Sequence, residues 1–272
     1  MLLDFPRIGW PLKVGLAFIA VLTVLFLLAP IVFIVALSFG SSQWLVFPPP
    51  SWTTRWYQQL WAEPGWLEAT WNSLKIAVLV SVLSVVLGFF TAMALVRGRF
   101  RGKALLRAFF LTPMVMPVVV LAVALYALFL RIGLTGTLPG FVLGHLVIAL
   151  PFSIIAISNS LESFDFALED AARICGASDW AVRWHVTLPS IRLGLGAAAL
   201  FSFLISWDDV VVAIFMAAPG VETLPVRIWA ALRQDLSPVI AAASTLLIGI
   251  TLLFMLLSAL QGASNRPSKT ST

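Results

Sequence analysis

The sequence predicts an all-α integral membrane protein of about six spans, and three observations carry that prediction. The 272 residues are 61% hydrophobic and only 11% charged, whereas a soluble domain has about 45–50% apolar and about 25% charged residues. Apolar runs long enough to cross a hydrocarbon core, which takes about 20 residues, recur along the chain. The charges fall between those runs, so the net charge of +5 reads as a topology signal rather than a nucleic-acid-binding face.

The runs are placed in order at Leu12 to Phe39, Trp71 to Val96, Leu106 to Leu130, Leu138 to Ser158, Leu193 to Ala217 and Val239 to Leu260. Helices are the expected form, because lipid offers no partner to the backbone polar groups of an irregular chain. In the third run Pro113 and Pro117 predict a break. The first run could be read as a signal peptide, since Ala36-Leu37-Ser38 loosely resembles a cleavage site. Its apolar stretch far exceeds the roughly 7–15 residues of a signal core, so it is taken as a span. The transmembrane domain is therefore placed at 12–260, between an N-terminal segment 1–11 and a polar tail 261–272.

Lysine and arginine set the orientation. With the N-terminus inside, cytoplasmic segments hold Arg7, Lys13, Arg97, Arg99, Arg101, Lys103, Arg107, Arg173, Arg183, Arg192, Arg266 and Lys269. External segments hold Arg55, Lys75, Arg131, Arg227 and Arg233. The split of the 17 cations is 12 against 5, which places both termini of the multi-pass protein in the cytoplasm. Cys175 is the one cysteine, so the fold can rest on no internal disulfide. The external segment Gly40 to Thr70 carries Trp44, Trp52, Trp56, Trp61 and Trp66. Tryptophan favours the membrane interface, so a short helix lying along the outer surface is expected there.

The cytoplasmic segment 159–190 is the most informative. Leu161 to Arg173 mixes acidic with apolar residues, and Ser163 or Asp165 is placed to cap a helix whose first turns are acidic. Gly176 interrupts it, and Trp180 to Val186 resumes an amphipathic pattern that Leu188-Pro189 ends. Two short helices around a glycine turn are expected. They could lie flat on lipid, but surface-lying helices are typically basic, and the first of these is acidic.

Asp170-Ala171-Ala172, three residues, Gly176, nine residues and Val186-Thr187-Leu188-Pro189 resemble the E-A-A-x3-G-x9-I-x-L-P signature of binding-protein-dependent ABC importer permeases. Asp170 stands where the family has Glu, and Val186 where it has Ile. The resemblance implies the type I ABC importer transmembrane-domain fold. It also implies a coupling helix that sits in a groove of a separate ATPase, carried by Glu169, Asp170, Ala171, Ala172, Arg173, Gly176, Ala177, Val186, Leu188 and Pro189. Small Ala171 and Ala172 suit close approach, and Gly176 suits a turn with positive φ. Arg173 and Arg183 are candidates to pair with acidic groups of the ATPase or to stay solvated. Trp180 and Trp184 are expected to pack the segment against the spans.

The implied partners are a second, related permease chain, an ATPase dimer and a periplasmic solute-binding protein, besides membrane lipid; no nucleic acid is expected. No cofactor is expected on this chain, with ATP and Mg held by the ATPase subunits. The sequence has no G-x-x-x-x-G-K-[ST] phosphate loop of its own.

The fifth span contains Trp207-Asp208-Asp209, and ionisable groups inside a span are costly and usually functional. Asp208 falls roughly 24 Å from Arg192 along a core about 30 Å thick. Adjacent helical residues point about 100° apart, so one carboxylate is expected to face the pathway and the other to pair with a donor. Trp207 offers a cation–π face. The pair can be read as a transient site for a cation or as a packing device, and the residues alone leave both open. Asp208 to Val212, Thr223 to Trp229, Ser237 to Ala242 and the Trp66 to Ala77 run are similar to the spermidine/putrescine permease branch. That implies a small cationic solute such as a polyamine. Relatives within the branch take opines, aminobutyrate, aminoethylphosphonate or ferric iron.

Two rival classes fit less well. For an intramembrane enzyme there are only His145 and His185, with neither H-E-x-x-H nor G-x-S-x-G; His145 reads as a packing or interfacial histidine. For a stand-alone channel or secondary transporter, the broken third span is suggestive, but no second half resembles the first.

Overall fold

A computed structural model describes residues 9–218, 221–234 and 237–264, with side chains placed for all of these except Pro64 and 261–264. Among them every regular element is helical. The predicted terminal segments fall partly beyond this range, and Arg7, Arg266 and Lys269 lie outside the described residues. Four helices, Trp10–Ser38, Gly65–Arg97, Leu138–Glu162 and Pro238–Leu260, are each long and apolar enough to cross a membrane. Two bent helix pairs raise the number of candidate spans to six. The described residues divide into two compact units, those within 1–63 and 231–246 and those within 64–230 and 247–264.

The first unit contains α1 (Trp10–Ser38) and α2 (Arg55–Ala62). Helix α1 is apolar on all sides, and its most hydrophobic stretch is wholly unburied in this chain. Such a helix belongs in lipid or against another chain. Its end is fastened to α2 by polar contacts: Trp56 Nε1 donates to the Gly40 carbonyl at 2.6 Å, and Ser38 Oγ and Tyr57 Oη lie 2.7 Å apart. Trp56 is buried, while Trp44, Trp52 and Trp61 stay exposed.

The second unit is built on α3 (Pro64–Arg97), α6 (Leu138–Glu162) and α10 (Arg192–Asp208), which pack against one another. Helix α3 has 34 residues and spans about 50 Å at 1.5 Å per residue. It therefore absorbs Pro64 to Thr70, which the sequence assigns to the external segment rather than to the second span, and buries Trp66. Close approach is set by small residues, as expected where lipid gives helices no hydrophobic drive to associate. Gly88 faces Ser153 and Ile157 of α6, and Gly194 of α10 faces Ser160. Hydroxyls bridge the same contacts: Ser153 and Ser202 lie 2.6 Å apart, and Ser81 donates to the Ala199 carbonyl at 2.8 Å.

The third predicted span is two helices, α4 (Lys103–Val115) and α5 (Val118–Arg131), bent by 105°. Of the two prolines expected to break it, only Pro117 sits at the bend; Pro113 lies within α4. At Pro117 the missing N–H and fixed φ end one helix and open the next. The fifth predicted span is also interrupted. Helix α10 stops at Asp208, Asp209 is extended, and the short α11 (Val211–Met216) follows. Between α6 and α10 lie α7 (Ala167–Ile174), α8 (Asp179–Val182), one π-helical turn (Arg183–Thr187) and α9 (Leu188–Ser190). The last elements are α12 (Leu224–Gln234) and α13 (Pro238–Ser264).

Candidate functional site

The segment between α6 and α10 is organised by one buried carboxylate. Glu169 is 0% exposed, on a short helix whose other acidic residue, Asp170, is turned outward. A buried charge needs partners, and Glu169 has three. Arg97, the last residue of α3, reaches it at 2.6 Å; Thr187 Oγ1 donates to it at 2.6 Å; Arg173 lies at 3.4 Å. The Arg97 guanidinium also sits 4.3 Å from the centre of the Phe166 ring, a favourable cation–π placement.

The turn itself is closed by backbone geometry. Gly176 has φ +87°, a region that L side chains avoid. The Gly176 N–H donates to the Arg173 carbonyl, and the Ala177 N–H to the Ala172 carbonyl, at 2.9 and 3.0 Å. These bonds satisfy carbonyls that the end of α7 leaves open. Asp165, not Ser163, serves the start, with Oδ1 accepting from the Ala167 N–H at 3.0 Å. Ser178 accepts from the Ala181 N–H to start α8. Arg173 then clamps the two helices from outside, donating to Asp179 at 3.0 Å and to Asp170 at 2.8 Å. Chiefly through Asp179, these bonds hold the guanidinium's pKa above its ordinary value.

Arg173 is engaged within its own chain by three carboxylates. One expectation for the segment is corrected. Trp180 and Trp184 do not pack on the spans: they are 63% and 58% exposed and stack on each other with ring centres 6.0 Å apart. Leu168 and Ile174 are exposed as well, so the segment presents four large apolar side chains outward. Asp170, Ala171, Gly176 and Pro189 are exposed, while Ala172, Ala177, Val186 and Leu188 are partly covered.

At the interruption of the fifth span the two aspartates are treated differently. Asp209 Oδ2 accepts from the Ala213 N–H at 2.9 Å and lies 3.6 Å from His145 Nε2. His145 is fully buried in α6, its Nδ1 2.9 Å from Ser206 Oγ. Asp208, the last residue of α10, is exposed. Trp207 is 0% exposed, stacked against Phe203, with Nε1 donating to the Leu247 carbonyl at 3.4 Å. The expected cation–π face of Trp207 is therefore closed within this chain, because the turn that puts Asp208 outside puts Trp207 inside.

Arg97, Phe166, Thr187, His145 and Ser206 are site residues that the sequence reading left out. Arg97 was legible only as a topology charge, and Thr187 only as the variable position inside Val186-Thr187-Leu188-Pro189. His145 and Asp209 carried one usable signal, both being costly polar groups in the fourth and fifth apolar runs. Among the described residues no three His, Cys, Asp or Glu side chains gather in a way that could hold a metal ion.

Known proteins match this chain over most of its length. The family model described as binding-protein-dependent transport system inner membrane component matches residues 84–266, a range that includes both sites. The spermidine/putrescine transport system permease protein PotC of Escherichia coli (strain K12) is 32% identical over 239 residues, covering 86% of this chain and 89% of its own. The putrescine transport system permease protein PotI of the same organism is 34% identical over 231 residues, covering 82% of each. Among solved structures, a chain of a bacterial ABC transporter that imports the acidic polysaccharide alginate superposes with a TM-score of 0.70 at 18% identity, covering 94% of this chain and 99% of its own. A chain of the MetNI methionine ABC transporter gives 0.62 at 18% identity, covering 74% and 96%. The likeness to these structures is one of fold.

Proposed function

The chain belongs to the family of inner membrane components of binding-protein-dependent transport systems, and from that premise we propose that it is the permease subunit of an ABC importer for a small cationic solute, a polyamine such as putrescine or spermidine. One observation carries the coupling half of this reading. The signature turn is anchored inward by Glu169 and shows Leu168, Ile174, Trp180 and Trp184 outward. Exposed apolar clusters of this kind mark protein interfaces, and the family resemblance supplies the occupant, a separate ATPase subunit. ATP and Mg belong to that subunit; this chain is not itself the ATPase.

The remaining partners are a second permease chain, which completes the pathway, and a soluble binding protein that delivers the solute. The excess of cations on one side puts the 159–190 segment and both termini in the cytoplasm. The polyamine reading rests on the likeness to PotC and PotI and on Asp208. An exposed carboxylate at a break in an apolar helix lowers the barrier for a cation in a dry constriction. Asp209, satisfied by Ala213 and close to His145, fixes the break.

Uptake of labelled putrescine and spermidine tests the reading, in cells that carry the complete system and lack other polyamine importers. Uptake that requires this chain and falls with Asp208→Asn supports it. Uptake that is unchanged without the chain removes the polyamine assignment and leaves the permease assignment standing.

A further inference from the structure

The three-helix core of the second unit is joined unevenly to the signature segment. Helices α6 and α10 continue into it covalently; α3 does not. Among the described residues, one ion pair links the segment to α3: Arg97 to Glu169 at 2.6 Å. We propose that Arg97 and Glu169 are positioning residues that bind α3 to the coupling segment, so that all three helices move with it as one body. This rests on the coupling reading above and adds which side chains carry the displacement.

Three features favour a mechanical link over a simple surface pair. Glu169 is wholly buried, and the Arg97 side chain is three-quarters covered, so the pair is little screened by solvent. Phe166 under the guanidinium and Thr187 on the carboxylate tie the pair to both ends of the segment, before α7 and at the end of the π-helical turn. The cation also sits at the C-terminus of α3, where the helix dipole favours it. The apolar contacts around Phe89, Ala92, Phe164 and Leu188 can slide past one another, whereas a directional charged bond holds one register. The acidic residues of the motif thus divide the work. Asp170 faces outward beside Arg173, and Glu169 faces inward to the spans.

The test uses the complete importer in nanodiscs, with Cys175→Ser and spin labels at Phe90→Cys on α3 and Ala167→Cys on the segment, both exposed positions outside the apolar surface assigned to the ATPase. Distances are read in nucleotide-free and ATP-trapped states, and ATPase co-purification is read for every variant. The original pair is expected to give one distance that does not change with nucleotide. Arg97→Gln and Glu169→Gln are expected to keep the ATPase bound but to broaden or shift the distance on ATP trapping, with Arg97→Lys restoring it. Variants that keep the ATPase and the nucleotide-independent distance would overturn the positioning role and leave the coupling reading intact. Undiminished ATPase binding after Trp180→Ala with Trp184→Ala would overturn both.

Discussion

His145 of α6 and Asp209, in the break between α10 and α11, meet inside the second unit, with Nε2 of one 3.6 Å from Oδ2 of the other. Asp209 also accepts the Ala213 N–H, so it satisfies a backbone donor where the helix is interrupted. Asp208, one residue earlier, is exposed. The two carboxylates should therefore respond differently to substitution. Asp209→Leu orphans the Ala213 N–H and is expected to cost about 1–3 kcal/mol of stability, seen as a lower melting temperature of the purified protein. Asp208→Asn should leave that temperature unchanged and lower polyamine uptake by about tenfold, the equivalent of about 1.4 kcal/mol. Equal loss of stability in both would refute the division.

Gly176 offers a cleaner separation of backbone from packing. A Cβ built there meets nothing within 4 Å, yet φ is +87°. The requirement is conformational, and a left-handed residue other than glycine costs roughly 1–2 kcal/mol. Gly176→Val is expected to insert and fold normally but to lose most of its transport, because the turn that aims α8 is disfavoured by a β-branched residue at positive φ. Gly176→Asn, which tolerates this region better, should keep part of the uptake. Normal transport by the valine variant would remove the turn from the coupling mechanism.

The contrast between these two sites shows what the sequence could carry. The glycine turn was legible because its requirement is local: a positive φ, small neighbours and a helix stop lie within a few residues of each other. The spans were legible because lipid imposes length and apolarity. The bend at Pro117 was legible as a break, but Pro113 was over-read, since a proline near a helix end can be accommodated. The end of α10 at Asp208 was missed. A run of Val and Ile continues beyond it, and what stops the helix is an aspartate whose partner, His145, comes from another span. Glu169 was named as part of the loop, but its burial against Arg97 depends on where α3 ends in space, which no spacing encodes.

The exposed indoles yield a direct binding prediction. Trp180 and Trp184 stack on each other, mostly open to solvent, so truncating them removes little that stabilises this chain alone. Tryptophans at the centre of interfaces often contribute 2 kcal/mol or more, which corresponds to about a 30-fold change in affinity. Trp180→Ala with Trp184→Ala should leave the melting temperature of the isolated chain within a degree or so while weakening ATPase capture by about 30-fold or more. A titration of labelled ATPase against the permease in nanodiscs measures the second arm, and a melting curve of the isolated chain measures the first. A large drop in melting temperature would mean that the indoles serve the fold instead.

Arg173 sets the response of the same segment to pH and salt. Its bonds to Asp179 and then Asp170 raise the guanidinium's pKa above its ordinary value. A raised folded-state value contributes stability that is fully present below the unfolded value and lost only as pH climbs through the folded one. That window lies far above physiological pH, so Arg173 should give the segment no pH dependence between about pH 6 and 9. Salt should act instead, because the clamp is exposed and such pairs are screened. Raising ionic strength from about 0.05 to about 0.5 M is expected to speed amide exchange at Gly176 and Ala177 while leaving Thr187, beside the buried Glu169, unchanged. Arg173→Gln should abolish the salt response at the turn. If Thr187 were deprotected together with the turn, the inner and outer ionic contacts would form a single unit, and the outward role of Asp170 would no longer be separable from the inward role of Glu169.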